Sequence, residues 1–198
     1  MNFLKPMKLL AISSILLSVL LLASCASPGG SLQKAGSSAD LFGLKLQTEL
    51  NWTRIKGRRM ELWTIDGPGL NSLFIIGNIK PGEQVLQEGK ESKSRPDGAW
   101  FRAGMRPDEL RAAILDAVRA QGWVAVESSN FRPHDFTGIP GIRFDVIQTS
   151  TDGLIYRGSV AAFERNGLLN VLYWRAPFEH YYPRDAVAVN AMLDSVRF

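Results

Sequence analysis

The sequence predicts an α+β domain, an antiparallel sheet flanked by helices, after an N-terminal signal helix and a flexible tether. Two dipeptides typical of tight antiparallel turns, Asp152-Gly153 and Asn166-Gly167, separate three strand-like segments near the C terminus. Two amphipathic segments beginning near Pro107 and Pro183 have the start signals of helices. These observations indicate a sheet with helices packed on it.

The N terminus has the three parts of a secretory leader. Lys5 and Lys8 form a positive region, residues Leu9 to Leu22 form an apolar run of 14, and small residues follow. Leu22-Ala23-Ser24-Cys25 resembles the bacterial lipobox, in which the cysteine thiol is acylated with fatty acids such as palmitate and the leader is cut before the cysteine. The alternative is an ordinary leader with an incidental cysteine at position 25.

The residues after Cys25 predict where the mature protein is held. Ala26 replaces the aspartate that, in Gram-negative lipoproteins, signals retention in the inner membrane, so the resemblance implies an outer-membrane lipoprotein, anchored through lipid and facing the periplasm. The Ser-, Gly- and Ala-rich segment from Ala26 to Asp40 is expected to be unstructured. We therefore expect a signal peptide over 1–24, a lipidated tether over 25–40 and one domain over 41–198.

Charge and cysteine content exclude several classes of function. Removing the leader lowers the 23 basic residues to 21, against 19 acidic ones, which is not the balance of a nucleic-acid-binding protein. The local cluster Arg54, Lys56, Arg58 and Arg59 is expected to be a solvated turn, with a phosphate or lipid-headgroup site as the alternative. Acylation of the only cysteine leaves no thiol for disulfides, thiolate catalysis or cysteine metal sites.

Strand signals dominate the N-terminal half of the domain. Segments 44–55 and 60–65 are predicted to pair through the basic turn at 56–59, and 73–79 is a continuous apolar run. Residues 88–98 form a charged segment with Gly and Pro, which we expect to be a loop.

The C-terminal half begins with the first predicted helix. Pro107 suits its first position, Leu110, Ile114 and Val118 share one face, and Gly122 follows its end. Alternation around Phe144 then predicts a strand with one apolar face, followed by strands over 154–163 and 168–175. The second helix carries Val189, Met192 and Leu193 inward, and residues 196–198 close the chain as a short strand.

The stretch from Phe136 to Phe198 resembles the PsbP/Mog1-like fold. The sequence Gly138-Ile139-Pro140-Gly141-Ile142-Arg143-Phe144, the two hairpins, Asn170-Val171-Leu172-Tyr173 and the closing helix into Ser195-Val196-Arg197-Phe198 follow the order such domains show. The resemblance implies an antiparallel sheet between helices. It favours a binding or accessory module over an enzyme. The photosystem and GTPase-binding roles of this family do not carry over, because no matching functional motif is present.

A search for catalytic patterns finds few candidates. The sequence has no Gly-x-Ser-x-Gly elbow, and the glycines from Gly77 to Gly82 lack the Lys and Ser/Thr of a phosphate-binding loop. His134 and His180 each have an acidic neighbour in sequence, but a zinc site needs three or four converging ligands. We therefore predict no cofactor, no metal site and no catalytic residues.

The segment 174–185 is the best candidate for a recognition surface. It concentrates aromatic and arginine side chains between a strand and a helix, and such groups dominate binding interfaces. The possible binding residues are Arg175, His180, Tyr181, Tyr182 and Arg184. The competing interpretation is that these side chains only pack the helix onto the sheet.

The sequence therefore predicts a non-enzymatic, membrane-anchored envelope lipoprotein that binds another envelope protein or component, with no nucleic-acid partner. The first alternative is an envelope hydrolase or metal-dependent enzyme using His134 or His180. The second is a carrier of a small ligand or glycan, with an apolar pocket beneath the helices.

Overall fold

A computed structural model describes residues 30–87 and 98–198 of the chain. The predicted leader, the acylation site at Cys25 and residues 88–97 of the predicted loop lie outside the described residues. The elements are β1 (Ser31–Gln33), β2 (Ser37–Leu41), β3 (Leu44–Thr48), β4 (Trp52–Lys56), β5 (Met60–Thr64), β6 (Ser72–Ile79), α1 (Pro107–Arg119), β7 (Ala125–Phe136), β8 (Ile139–Thr149), β9 (Ile155–Arg165), β10 (Leu168–Pro177) and α2 (Tyr181–Asp194).

Eight strands form one antiparallel sheet in the order β1-β4-β5-β6-β10-β9-β8-β7, and β2 and β3 form a separate hairpin. The two predicted tight turns join β8 to β9 and β9 to β10. In the second turn Asn166 and Gly167 both have positive φ angles, 54° and 74°, which a type I′ turn requires. The predicted fold class of this domain, an antiparallel sheet flanked by helices, is confirmed.

The sheet gains a strand that the sequence did not predict. The 12-residue strand β7 pairs with β8 through a turn at Thr137 and Gly138 and forms one edge of the sheet. Its side chains are mostly exposed, and Pro133 interrupts its sequence, so it shows no apolar alternation. Its register shifts between Ser129 and Arg132, where Asn130 has a φ angle of 52°.

The segment predicted to be a tether is partly structured. Strands β1 and β2 lie within residues 31–41, so the folded unit begins at Ser31 rather than Leu41. Gln33, Ala39 and Leu41 are buried there. The short side chains of this segment bury little apolar surface, and backbone hydrogen bonds with β3 and β4 stabilise its two strands.

The predicted strand over 44–55 is two strands, β3 and β4, separated at Leu50 and Asn51. The Thr48 hydroxyl oxygen accepts hydrogen bonds from the Leu50 amide at 3.1 Å and from the Trp52 indole at 2.8 Å. These contacts stabilise the bend that separates β3 from β4. The predicted pairing across the basic turn is confirmed for β4 and β5.

Each face of the large sheet is covered by its own apolar cluster. The helix α1 buries Leu110, Ile114 and Val118 against Phe144 and its neighbours on one face. Glu109 caps its start by accepting a hydrogen bond from the Arg106 amide at 2.9 Å.

The other face carries α2 and the β2–β3 hairpin. The helix begins at Tyr181, two residues before the predicted Pro183, and buries Val189, Met192 and Leu193 as predicted. The predicted final strand is a single bridge between Lys45 and Arg197. Neither of the two helices in the described part of the chain has the length and apolar character needed to cross a bilayer.

Candidate functional site

The five residues predicted for binding do not form one site. Arg175 lies on the α1 face of the sheet, where its guanidinium is 5.0 Å from the ring centre of Phe74 and 4.9 Å from that of Trp123. It also donates a hydrogen bond to the Gln121 side chain at 3.2 Å. The other four residues lie at the start of α2, on the opposite face of the sheet.

Arg184 is engaged within the protein. Its guanidinium bonds the carboxylates of Asp185 and Asp66, with a distance of 2.6 Å to Asp185. These two interactions, that with Asp185 being the larger, raise the pKa of Arg184 above its ordinary value. The side chain therefore joins the turn after β5 to the first turn of α2, which is a structural role.

A buried network fixes the same turn from below. Asn71 donates to the Asp185 carboxylate at 2.5 Å and accepts from the Trp174 indole at 2.9 Å. All three residues are at most 4% exposed. The turn at residues 66–71 is thus held by internal contacts.

His180 and Tyr181 form a small surface cluster beside Arg184. Their rings meet edge to face at 5.0 Å, and the Arg184 guanidinium lies 5.3 Å from the centre of the Tyr181 ring. His180 is exposed and Tyr181 is half-buried. Of the five predicted binding residues, His180 and Arg184 are the exposed ones.

Tyr182 points to a different place, over the sheet. Its ring stacks on Trp174 at a centroid distance of 5.1 Å and an angle of 20°. Burial, and next the negative charge of Asp145, raise the pKa of the Tyr182 hydroxyl above its ordinary value. Whereas Arg175 lines a cavity on the α1 face of the sheet, Tyr182 lines a separate, polar one.

That cavity has a volume of about 210 Å³ and is predominantly polar. It lies between the bulge of β7, the middle of β8 and the start of β9, and the first turn of α2 closes it. We call it the polar pocket, and the side chains that define it are Ser129, Asn130, Asp145, Arg157 and Tyr182.

The polar pocket presents a carboxylate and a guanidinium together. Asp145 accepts hydrogen bonds from Asn130 at 2.7 Å and from the Ser159 hydroxyl at 2.9 Å. Arg157 lies with its guanidinium 4.2 Å from the ring centre of Phe178. Its Nε atom is buried and has no hydrogen-bond partner in the described part of the chain.

An unsatisfied buried donor beside a polar cavity favours binding of a ligand group that supplies an acceptor. Asp145 keeps further acceptor capacity on its two oxygens, and Tyr182 adds a hydroxyl. The polar pocket can therefore recognise a group that both donates and accepts hydrogen bonds, such as a hydroxylated or zwitterionic one.

The sequence analysis did not predict this pocket, although β8 contains a signal for it. Apolar Phe144 and Val146 alternate with Arg143 and Asp145, which places the two charged residues on one face of the strand. That face is covered by α2, and Arg143 is only 1% exposed. Charged residues on a face that a helix covers are unusual, and Asp145, one of these two residues, lines the polar pocket.

His134 lies at the other end of α2, away from His180. Its Nδ1 atom is 3.8 Å from the Asp194 carboxylate, and its ring is 4.5 Å from that of Phe136. No group of three His, Cys, Asp or Glu side chains converges as metal ligands within residues 30–87 and 98–198. The structure therefore does not bring the two histidines into one site.

Two arginines of the basic cluster in β4 and the turn after it form ion pairs within the protein. Arg54 binds Glu61 through two hydrogen bonds of 2.9 and 3.0 Å, and Arg59 pairs with Glu83 at 3.4 Å. A largely apolar cavity of about 330 Å³ lies next to this turn, lined in part by Met60, Ile76 and Leu86. Arg58, Arg59 and Gln87 also line this cavity, although most of its lining surface is apolar.

Known structures share this fold, although no family model matches the sequence and no curated protein matches it. The solution structure of cyanobacterial PsbP (CyanoP) from Synechocystis has a TM-score of 0.55 and 12% identity, over 88% of this chain and 96% of that one. The Ran-binding protein Mog1p of Saccharomyces cerevisiae has a TM-score of 0.51 and 10% identity, over 83% of this chain and 96% of that one. At such identities the likeness concerns the fold alone, and it confirms the predicted PsbP/Mog1-like fold.

Proposed function

We propose that this chain is a lipoprotein of the bacterial cell envelope whose PsbP/Mog1-like domain acts as a non-enzymatic binding or accessory module. Support for the anchor comes from the sequence Leu22-Ala23-Ser24-Cys25 behind a positive and apolar leader. Ala26 supports placement on the periplasmic side of the outer membrane. The fold likeness to PsbP and Mog1p, neither of which is named as an enzyme, supports a binding role.

One observation supports a specific site for that binding. Arg157 and Asp145 both line the polar pocket, and the Nε atom of Arg157 has no hydrogen-bond partner within the described residues. The ring of Phe178 packs against the Arg157 guanidinium and is 39% exposed, so it offers an aromatic contact to a partner. We propose that an envelope protein or component inserts a polar, hydrogen-bonding group here.

Acylation is tested by labelling living cells with a palmitate analogue. The wild-type protein should take up the label and sediment with membranes, and Cys25→Ser should do neither, because two or three acyl chains are needed for stable anchoring. A Cys25→Ser protein that still carries label and remains in the membrane would contradict the anchor.

Binding at the pocket is tested by photo-crosslinking in cells. A photoreactive amino acid at Phe178 should give a discrete adduct, and Arg157→Met should abolish it. The same amino acid at Val187, which is 84% exposed on α2, is the matched control. Identical adducts from both positions, or an adduct that survives Arg157→Met, would argue against the pocket.

The second candidate function is a carrier of a small hydroxylated ligand or glycan. The polar pocket suits such a ligand better than the apolar cavity does. A volume of about 210 Å³ accommodates one sugar-sized unit, and its lining is polar. Native mass spectrometry of gently purified protein should then show a retained ligand that Asp145→Asn loses. The remaining alternative, a histidine-dependent enzyme, predicts that His134→Ala or His180→Ala abolishes the protein's cellular role.

A further inference from the structure

One end of the large sheet has an exposed apolar strip. Leu32 of β1 lies opposite Thr53 of β4, and Ile55, two residues further along β4, lies opposite Leu62 of β5. Because side chains alternate along a strand, Leu32, Ile55 and Leu62 share the α1 face of the sheet. Leu32 is 62% exposed and Ile55 is 41% exposed. We call these three residues the edge strip.

Basic side chains stand at the end of the hairpin next to the edge strip. Lys56 and Arg58 are both exposed there. Lys56 lies opposite Glu61, on the other face of the sheet from Ile55, and Arg58 lies in the turn at the end of the hairpin. The acidic residue of this hairpin, Glu61, is buried and bound to Arg54. This end of the domain therefore combines exposed apolar and cationic groups, which is the composition of a surface that binds an anionic lipid interface.

The chain itself brings this end of the sheet close to the predicted anchor. Ser31 pairs with Arg54, so the N-terminal end of β1 lies next to Ile55 and Lys56. Cys25 precedes Ser31 by six residues, a length that reaches at most about 20 Å even when fully extended. The lipid held by an acylated Cys25 must then lie within that distance of the start of β1.

We propose that the edge strip docks onto the lipid surface, with Leu32 and Ile55 at the headgroup boundary and Lys56 and Arg58 against anionic headgroups. This inference rests on the proposed acylation of Cys25. It gives the domain a fixed orientation on the membrane, with the edge strip toward the lipid and the opposite edge of the sheet, β7, away from it. The polar pocket lies beside β7 and would thus face a partner in the periplasm.

The test uses the single cysteine of the chain. If Cys25 is acylated, a thiol introduced by Leu32→Cys, Ile55→Cys or Val187→Cys is the only one that reacts with an environment-sensitive fluorophore. The purified acylated protein is reconstituted in phosphatidylethanolamine–phosphatidylglycerol vesicles that contain a lipid-borne quencher. We expect quenching several-fold stronger at positions 32 and 55 than at position 187, which lies on the opposite face of the sheet.

Two controls separate the possible failures. The protein without an introduced cysteine should take up no fluorophore, and labelling of it would mean that Cys25 is free, which overturns the anchor. Equal quenching at all three positions in an acylated protein would overturn the docked orientation alone. Adding Leu32→Glu to the Ile55→Cys protein should reduce the quenching several-fold, whereas adding Val187→Glu should not, and equal effects would also overturn the orientation.

Discussion

Arg143 and Asp194 form an ion pair that joins β8 to the end of α2. The arginine side chain is 1% exposed, whereas the aspartate is 45% exposed. Arg143 also donates to Asn190 at 2.6 Å and to the Val160 carbonyl at 3.0 Å. Burial lowers the pKa of Arg143 from its ordinary value, and the charge of Asp194 acts against this shift.

We expect Asp194→Asn to lower the free energy of unfolding by roughly 2 kcal/mol, because it removes the counter-charge of a buried arginine. The loss is smaller than for a fully buried pair because Asp194 is partly solvated. Urea unfolding measures it. Asp116→Asn breaks the exposed pair with Arg119 and should cost less than about 0.5 kcal/mol. An equal loss in both variants would contradict the role of burial.

The network around Asn71 gives a second prediction. Asn71→Ala leaves the Asp185 carboxylate and the Trp174 indole without the partner that each now has in Asn71. We expect a loss of about 2–3 kcal/mol in the free energy of unfolding, since both groups are buried. Asp66→Ala removes a half-exposed partner of Arg184 and should cost less than about 1 kcal/mol. If Asp66→Ala were the more damaging, Arg184 rather than Asn71 would hold the turn.

Local signals predicted those parts of the fold that local sequence determines. Asn166 and Gly167 can adopt positive φ angles at little cost, so the turn was readable from two residues. Pro107 and the apolar stripe of α1 were equally local.

Local sequence does not predict elements that depend on contacts with distant parts of the chain. Strand β7 is stabilised by backbone pairing with β8, and its side chains have no pattern of their own. Arg157, Asp145 and Tyr182 are 12 to 37 residues apart in sequence, and they meet only because β8, β9 and α2 are adjacent in the fold. Of the five predicted binding residues, Tyr182 alone lines that pocket.

Glu61 gives a pH-dependent prediction. Burial opposes its charge, but hydrogen bonds from Arg54 and Trp63 outweigh burial and hold its pKa below the usual value of 4.5. A carboxylate whose pKa is lower in the folded state stabilises the protein above the unfolded pKa, and this stability is lost as the pH falls through the folded pKa. We expect Glu61→Gln to cost roughly 1–2 kcal/mol near pH 7.

The same variant should also lose less stability than the wild type between about pH 5 and pH 3, because its side chain no longer titrates. Urea midpoints across this range measure the difference. Glu109→Gln, which changes an exposed carboxylate at the start of α1, is the matched control. Parallel curves for wild type and Glu61→Gln would show that Glu61 does not carry this acid sensitivity.

Tyr173 gives the corresponding prediction at alkaline pH. Its side chain is fully buried, its hydroxyl donates to Gln148 at 2.5 Å, and burial raises its pKa to about 12. A group that must stay neutral when folded stabilises the protein fully below its unfolded pKa, near 10, and this contribution is lost as the pH rises toward 12.

Tyr173→Phe should therefore cost about 1–2 kcal/mol near pH 8, because Gln148, whose Nε2 atom already has no partner in the described residues, also loses the donor to its Oε1. The cost should shrink above about pH 10, where the wild type begins to pay for keeping Tyr173 protonated. Urea midpoints of both proteins from about pH 8 to pH 11 measure the difference. Tyr156→Phe, whose exposed hydroxyl binds the Gly69 carbonyl at 3.0 Å, should cost less than about 0.5 kcal/mol at pH 8. A difference between wild type and Tyr173→Phe that stays constant with pH would contradict the role of burial at this hydroxyl.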